Sequence, residues 1–341
     1  MPEQTSTGPS RFQAEIVVDT HVHTLGYLPG FASSLFRLAI RRTVPPPFSL
    51  GQLSSAGVDA VIANAVGDRV ATAWWGRSPW LAIQEQLSRI QAEAEAARAI
   101  VATSAAEVWR AFASGRVSVI LGLEGGDGIG LNLARLDELS GHGVRLLAPV
   151  HLRDNKIGTT RLPWQRYMGM PAISRRLPGL SEFGHSVIER MNSLGIMIDV
   201  SHADKTTVLD IVRHTRQPVI ASHAGARRID GFERFLADDE IAAITGTGGL
   251  IGLWSYHYKG HGPIDIDALM RHARHIADLA GASHLCIGTD INGVPGTLVG
   301  FRRESDLRLI AAHLGLAGFS QTDVQGILGG NFMRVFEEVA P

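Results

Sequence analysis

The chain has 341 residues, of which 45% are hydrophobic and 19% are charged, with a formal net charge of -1 and a sequence pI of about 6.9. This balance gives no basis for binding nucleic acid or an anionic membrane surface. The single cysteine, Cys286, excludes an internal disulfide and a zinc site built from cysteines. The sequence opens without a basic and apolar leader and has no apolar run long enough to cross a bilayer, so we expect a cytoplasmic protein.

Eight short apolar runs alternate with segments of helical character along the chain. Runs of this kind are typical of buried parallel strands. They are Ala14–His23, Val58–Val66, Val117–Gly126, Val144–His151, Ile196–His202, Pro218–His223, Gly248–Trp254 and Leu285–Asp290. The predicted helices are Leu81 to about Ala102, Ser104–Ala113 (with Ser104 and Glu107 as a capping box), Ser181–Leu194, Asp204–Thr215, Asp265–Ala280 and Gly329–Val339.

This count and this length predict an α/β fold, a (β/α)8 TIM-type barrel that forms a single domain over residues 14–341. Residues 1–13 are polar, and we expect a frayed N-terminus there. The segments from Thr24 to Pro47 and from Leu152 to Gly179 are too long for simple connections. We expect them to shape a site at the rim where the strands end.

The stretch from Ile198 to Gly225 is the centre of the predicted site. It is a strand, a helix and a second strand, and a histidine ends each strand: His202 closes IDVSH and His223 closes VIASH. Parallel strands joined by a crossover helix lie side by side, with their carboxyl ends at the same edge. The two imidazoles are therefore predicted to share a metal ion.

Other strand ends carry residues of the same chemistry. His21 and His23 are two positions apart, so on an extended strand they point the same way. Glu124 ends the third run, and the two glycines after it allow close approach of backbone or ligand. His151 and Asp290 end the fourth and eighth runs. Scattered core residues would not all fall on one rim, so the pattern favours a functional site.

Each of these residues also has a structural interpretation. The histidines could be core residues that hydrogen-bond to carbonyls, Glu124 could cap a helix or form a buried ion pair, and Asp290 could cap the next helix. His151 could be a ligand, a substrate contact or a loop residue, and its spacing does not rank these. Arg234, considered alone, is more often a solvated surface residue.

Several longer motifs resemble those of one enzyme family. They are LEGG, VRLLAPVHLRDN, GLSEFGHSVIERMNSLGIMIDVSH, PVIASHAGAR, LCIGTDINGV and GGNFMRVF. In this order and spacing they are similar to the renal (membrane) dipeptidase family of zinc peptidases, within the wider amidohydrolase-like barrels. The similarity runs from about Val17 to Phe336, nearly the whole chain.

The resemblance implies a site for two zinc ions. By motif position, His21 binds the first metal, Glu124 bridges the two, and His202 and His223 bind the second. A homodimer is common in this family.

The resemblance also implies roles beside the metals. Asp290 matches the catalytic aspartate, and His151 matches a histidine that contacts the substrate. Arg234 stands eleven residues after His223 and matches the arginine that holds the substrate carboxylate.

Two positions depart from the family pattern. His23 stands where the family usually has aspartate, which raises the charge of the first metal site by about one unit and makes it resemble that of the general amidohydrolases. Asp127 stands where the family often has histidine. Both departures affect the expected substrate more than the reaction class.

The predicted reaction is hydrolysis of the amide bond of a dipeptide or a similar small carboxylate. In this hypothesis two divalent ions, expected to be Zn²⁺ held by His21, His23, Glu124, His202 and His223, lie about 3.5–4 Å apart and hold a bridging hydroxide that attacks the carbonyl. The alternatives are another amidohydrolase-type activity at the same site, such as an N-acyl amino acid hydrolase, a lactonase or a deaminase, and a scaffold protein without catalysis.

Overall fold

The computed structural model describes residues 16–24, 27, 29, 49–172, 177–294, 296–301 and 306–341. Its sheet contains parallel strands only. They are β1 (Val18–Val22), β2 (Ala60–Val66), β3 (Ile100–Val101), β4 (Ser118–Glu124), β5 (Val144–Ala148), β6 (Met197–Asp199), β7 (Val219–Ala224), β8 (Leu250–Leu253) and β9 (Leu285–Ile287). β2 pairs with β4, β4 to β9 follow in order, and β1 pairs with both β9 and β2. Eight strands therefore close into a barrel, which confirms the predicted (β/α)8 fold.

Helices follow the strands around the barrel. In chain order they are α1 (Leu53–Ala56), α2 (Arg69–Thr72), α3 (Pro79–Ala96), α4 (Ala105–Ala113), α5 (Ala134–Gly141), α6 (Trp164–Tyr167), α7 (Glu182–Leu194), α8 (Lys205–His214), α9 (Asp238–Thr245), α10 (Ile266–Ala280), α11 (Leu307–Leu316), α12 (Gln321–Gln325) and α13 (Asn331–Val339). None of the helices in the described ranges is long and apolar enough to cross a bilayer.

The predicted helix from Leu81 to Ala102 is wrong at its C-terminal end. α3 stops at Ala96, and Arg98 then adopts a left-handed backbone conformation with φ 57°. The chain turns there into β3, which pairs with the start of β4. The predicted cap of α4 is half right, because the Ser104 hydroxyl accepts from the Glu107 amide but the Glu107 carboxylate accepts from Thr103.

The two ends of the barrel are built differently. α13 packs the buried rings of Phe332 and Phe336 against apolar side chains at the N-terminal end of the strands, including Val18 and Ile120. A five-residue π-helical turn, Gly326–Gly330, leads into this helix, so the predicted helix Gly329–Val339 becomes α-helical only from Asn331. The C-terminal end of the barrel carries the polar residues of the predicted site.

Two long segments were expected to shape the site, and only the second lies mostly within the described residues. Most of the segment from Thr24 to Pro47, like residues 1–13, lies outside the described residues. The segment after β5 runs over the strand ends, where Thr160 bridges to Ala203 and the Arg161 amide donates to the His202 carbonyl, so this segment does border the site.

Candidate metal centre

His21 in β1 and His23 directly after it face Glu124, which ends β4. Nε2 of His21 and Nε2 of His23 are 3.3 Å apart, as expected for residues that alternate along one strand. His21 Nε2 lies 3.6 Å from Oε1 of Glu124, and His23 Nε2 lies 3.4 Å from Oε2. All three side chains are buried. They form one group of nitrogen and oxygen atoms close enough to hold a cation.

A second pair of histidines faces the same carboxylate from the other side. Nε2 of His202 and Nε2 of His223 are 3.1 Å apart, which confirms that the strand ends after β6 and at β7 bring them together. They lie 2.8 and 3.6 Å from Oε1 of Glu124. Glu124 therefore stands between two imidazole pairs that come from opposite parts of the sequence.

The donor set fits metal ions better than it fits hydrogen bonding. Oε1 of Glu124 is buried and accepts no hydrogen bond in the described structure, although His202 Nε2 is only 2.8 Å away. His23 contacts the Asn64 carbonyl through Nδ1, at 3.2 Å. That nitrogen must be the donor, so in the neutral ring the Nε2 lone pair points into the site. Imidazole and carboxylate are ligands that suit zinc.

The pKa values of the candidate ligands reflect this crowded, buried position. Burial lowers the pKa of His202 and of His223, and the charge of Arg234 lowers both further. The surrounding histidines outweigh burial at Glu124 and hold its pKa well below the usual range. Neutral imidazoles and an ionised carboxylate are the forms that bind metals. At His23, burial is outweighed by the neighbouring carboxylates of Asp290 and Glu124, which raise the pKa to about 10.

Asp290 follows β9 and turns its carboxylate toward the same centre. Its backbone is left-handed, with φ 57°, and its amide donates to the His21 carbonyl. Oδ1 lies 3.4 Å from His23 Nε2 and accepts no hydrogen bond from the described residues. The interpretation of Asp290 as a helix cap is wrong, because a turn closed by the Gly293 amide follows it instead of a helix.

His151 is held at the site by a second carboxylate. Its Nδ1 is 2.6 Å from Oδ2 of Asp68, and its Nε2 is 3.4 Å from Oε2 of Glu124. The other oxygen of Asp68 caps α2 by accepting from the amides of Val70 and Ala71. The imidazole therefore faces the centre in a fixed orientation, and both a ligand role and a substrate role remain geometrically possible.

Arg234 is fully buried, so the interpretation of it as a solvated surface residue is wrong. Its Nη2 lies 3.0 Å from His223 Nε2, and its guanidinium lies 5.1 Å from the ring of Trp254. Nε and Nη1 have no hydrogen-bond partner among the described residues. A buried cation with free donors is costly unless an anion pairs with it.

Several residues of the site were not among the predicted ones. They are Asp68, Asp199, Ser222, Tyr167 and Trp254. Asp199 and Ser222 lie inside the IDVSH and VIASH strands that singled out the two histidines, so their positions carried a signal. Asp68 comes two residues after β2 and could have been found as a further strand-exit acid. Asp127 is close enough for its charge to interact with Asp68, and burial raises its pKa to about 6.

The barrel and the clustered ligands define a metal-dependent hydrolase of the (β/α)8 class. The family model of the membrane dipeptidases, peptidase family M19, matches residues 13–341. The chain belongs to this family and is a metal-dependent dipeptidase.

Solved structures share the fold along almost the whole chain. A probable dipeptidase from Pseudomonas aeruginosa is 18% identical, with a TM-score of 0.79 and coverage of 95% of both chains. An amidohydrolase from Pseudomonas aeruginosa is 20% identical, with a TM-score of 0.75 and coverage of 96% of this chain and 97% of the other. A metallopeptidase from Rhodobacter sphaeroides, liganded with a phosphinate mimic of L-Ala-D-Ala, is 22% identical, with a TM-score of 0.79 and coverage of 95% and 99%.

Proposed function

We propose that the protein is a binuclear zinc dipeptidase whose two ions share Glu124. The observation that carries this proposal is the position of that carboxylate, with Oε2 3.4 Å from His23 Nε2 and Oε1 2.8 Å from His202 Nε2. His21 and His23 would hold one ion, and His202 and His223 the other. When bound, such a pair of ions acidifies a water molecule and polarises the carbonyl of the substrate.

The protein's own residues then bind the substrate and carry a proton of the attacking water to the leaving nitrogen. Asp290 has a buried oxygen without a hydrogen-bond partner in the described structure, which suits it to take a proton and deliver it to the leaving nitrogen. His151 donates from Nδ1 to Asp68, and the charges of Glu124 and Asp68 outweigh burial and raise its pKa. The doubly protonated ring would then donate from Nε2 to the oxygen on which negative charge develops.

Arg234 would select substrates with a free carboxylate. Its planar fork can hold a carboxylate with two hydrogen bonds, and two of its nitrogens lack partners among the described residues. A dipeptide offers its carboxylate close to the scissile amide, whereas a longer peptide would place it elsewhere. The Rhodobacter sphaeroides metallopeptidase is liganded with a phosphinate mimic of L-Ala-D-Ala, and this similarity makes dipeptides the first substrates to test.

The test compares the wild type with Glu124→Ala. We expect chelator-treated wild-type protein to regain dipeptide hydrolysis when about two equivalents of Zn²⁺ are added, and the variant to lose both tight zinc binding and activity. Metal content is measured by mass spectrometry after gel filtration. A variant that keeps two tightly bound ions and full activity would overturn the bridging role.

A second candidate is hydrolysis of N-acyl amino acids at the same centre, with lactonase or deaminase activity as further forms of the alternative. It is favoured by His23, which gives the first metal site two imidazoles. Assays with dipeptides, N-acyl amino acids and lactones, each with added Zn²⁺, separate the candidates. Higher kcat/KM for an N-acyl amino acid than for every dipeptide would favour the second.

A further inference from the structure

One hydroxyl group connects the two halves of the metal centre. Oγ of Ser222 lies 2.9 Å from Nδ1 of His21 and 2.9 Å from Nδ1 of His223. It also lies 2.6 Å from Oδ2 of Asp199. Four groups thus meet in the barrel interior, where all four side chains are buried. His21, Asp199 and His223 are close enough to form a cation site by themselves, but the hydroxyl occupies the space between them.

The hydrogen-bond pattern around Asp199 fixes the direction of the Ser222 hydroxyl. Oδ1 accepts from the amides of Ser201 and Ser222, at 3.0 Å each, and from the Ser201 hydroxyl at 2.5 Å. Oδ2 is then left for the Ser222 hydroxyl. An ionised carboxylate only accepts hydrogen bonds, so Ser222 must donate its proton to Asp199.

The direction of this hydroxyl determines the tautomers of two histidines. With its proton on the Asp199 side, Ser222 offers one lone pair to each nearby Nδ1, and both rings must carry their proton there. Nε2 of His21 and of His223 is then unprotonated, which is the form that binds metal. The two rings belong to different ions in the proposed function.

We propose that Ser222 is a positioning residue that sets the tautomer of one ligand in each metal site, with Asp199 holding its proton. The proposal rests on the proposed two-metal function. It predicts that a change at Asp199, which is outside hydrogen-bond distance of both imidazoles, alters metal binding through the hydroxyl.

Asp199→Asn is the sharpest test because it is nearly isosteric. The two backbone amides require an acceptor at the Oδ1 position, so the new amide nitrogen must replace Oδ2 and donate to Ser222. The hydroxyl then keeps a lone pair for only one of His21 and His223. We expect the other ring to lose its Nδ1–H form, and zinc affinity at its site to fall by about 10–100-fold.

The first readout is the histidine tautomer in metal-free protein, from long-range ¹H–¹⁵N NMR of the imidazoles. The second is zinc affinity, from competition with a chromophoric chelator. Asp19→Asn is the matched control, because Asp19 is also buried in the barrel and accepts from the Thr289 hydroxyl at 2.6 Å, but hydrogen-bonds to no imidazole nitrogen of the described residues. We expect this control to keep the wild-type tautomers.

Unchanged tautomers and unchanged zinc affinities in folded Asp199→Asn protein would overturn the proposal. If that variant does not fold, Ser222→Ala provides the same test, with the Nδ1–H preference of both rings expected to be lost. The tautomers are read without metal or substrate, so they decide the role of Ser222 even if the wild type hydrolyses no dipeptide.

Discussion

Among single residues, Asp68 uses its two carboxylate oxygens for two different hydrogen-bonding roles. Oδ1 caps α2, and Oδ2 accepts from Nδ1 of His151. Replacing Asp68 with asparagine brings a second donor to that Nδ1, so the imidazole would lose its orientation. We expect kcat for a dipeptide to fall by about 10–100-fold.

Asp204→Asn is the control for this prediction. Asp204 caps α8 through the Thr207 amide and accepts from the Thr159 hydroxyl with its other oxygen, so it combines the same two functions without an imidazole. We expect its kcat to stay within twofold of the wild type. Equal losses in the two variants would show that only the helix cap matters.

Asp127 offers a prediction about pH and stability. Burial and the nearby charge of Asp68 raise its pKa to about 6 from 3.8, so between these values the folded protein binds more protons than the unfolded chain. The contribution of Asp127 to stability therefore falls as pH rises from about 4 to 6 and stays at the lower level above it. Asp127→Asn should remove this fall and gain at most about 3 kcal/mol at pH 7.5, less the lost attraction to Arg153.

Urea unfolding of metal-free protein at pH 4 and pH 7.5 checks this prediction. The gain should be present at pH 7.5 and nearly absent at pH 4, where the wild-type carboxyl is already protonated. Asp278→Asn, on the exposed face of α10, serves as a control with no expected gain. An equal change in the free energy of unfolding between pH 4 and pH 6 in the wild type and in Asp127→Asn would contradict the raised pKa of Asp127.

At the scale of elements, the loop after β9 positions the catalytic candidate Asp290. A side chain at Gly293 would place its Cβ 2.1 Å from Oδ1 of Asp290 and 2.5 Å from the ring of His23. Gly293→Ala should therefore displace both groups and lower kcat by about 100-fold. Gly231→Ala is the control, because a Cβ at that loop position meets nothing within 4 Å. Similar kcat values for the two variants would contradict the prediction.

Strand positions could be predicted from the sequence because buried parallel strands are continuous apolar runs, and the residues at their exits stand out as polar. β3 could not, because it has two residues and follows a turn at Arg98 that no glycine marks. α9 and α11 were not predicted either. Contacts between residues distant in sequence could not be predicted either. His151 and Asp68 are 83 positions apart, and the hydroxyl of Ser222 contacts the ring of His21, which is 201 positions away. Periodicity reports which residues share a face, but not which donor meets which acceptor.

For the whole molecule, the residues of the candidate site and the packing that stabilises the fold at α13 lie at opposite ends of the barrel. The candidate metal ligands lie at the C-terminal end of the strands, while α13 closes the N-terminal end. Phe336 is fully buried there and stacks on Phe332, with ring centroids 5.5 Å apart. Its replacement should weaken the fold without changing the site.

Phe336→Ala should lower the free energy of unfolding by about 3–5 kcal/mol, because it removes a large ring and leaves a cavity. Zinc stoichiometry and kcat, measured well below the unfolding temperature, should match the wild type. Glu337→Ala, one position along and exposed on the same helix, should change stability by less than about 0.5 kcal/mol. A lower kcat or weaker zinc binding in folded Phe336→Ala protein would show that packing at the closed end reaches the metal centre through the strands, against the division expected for this barrel.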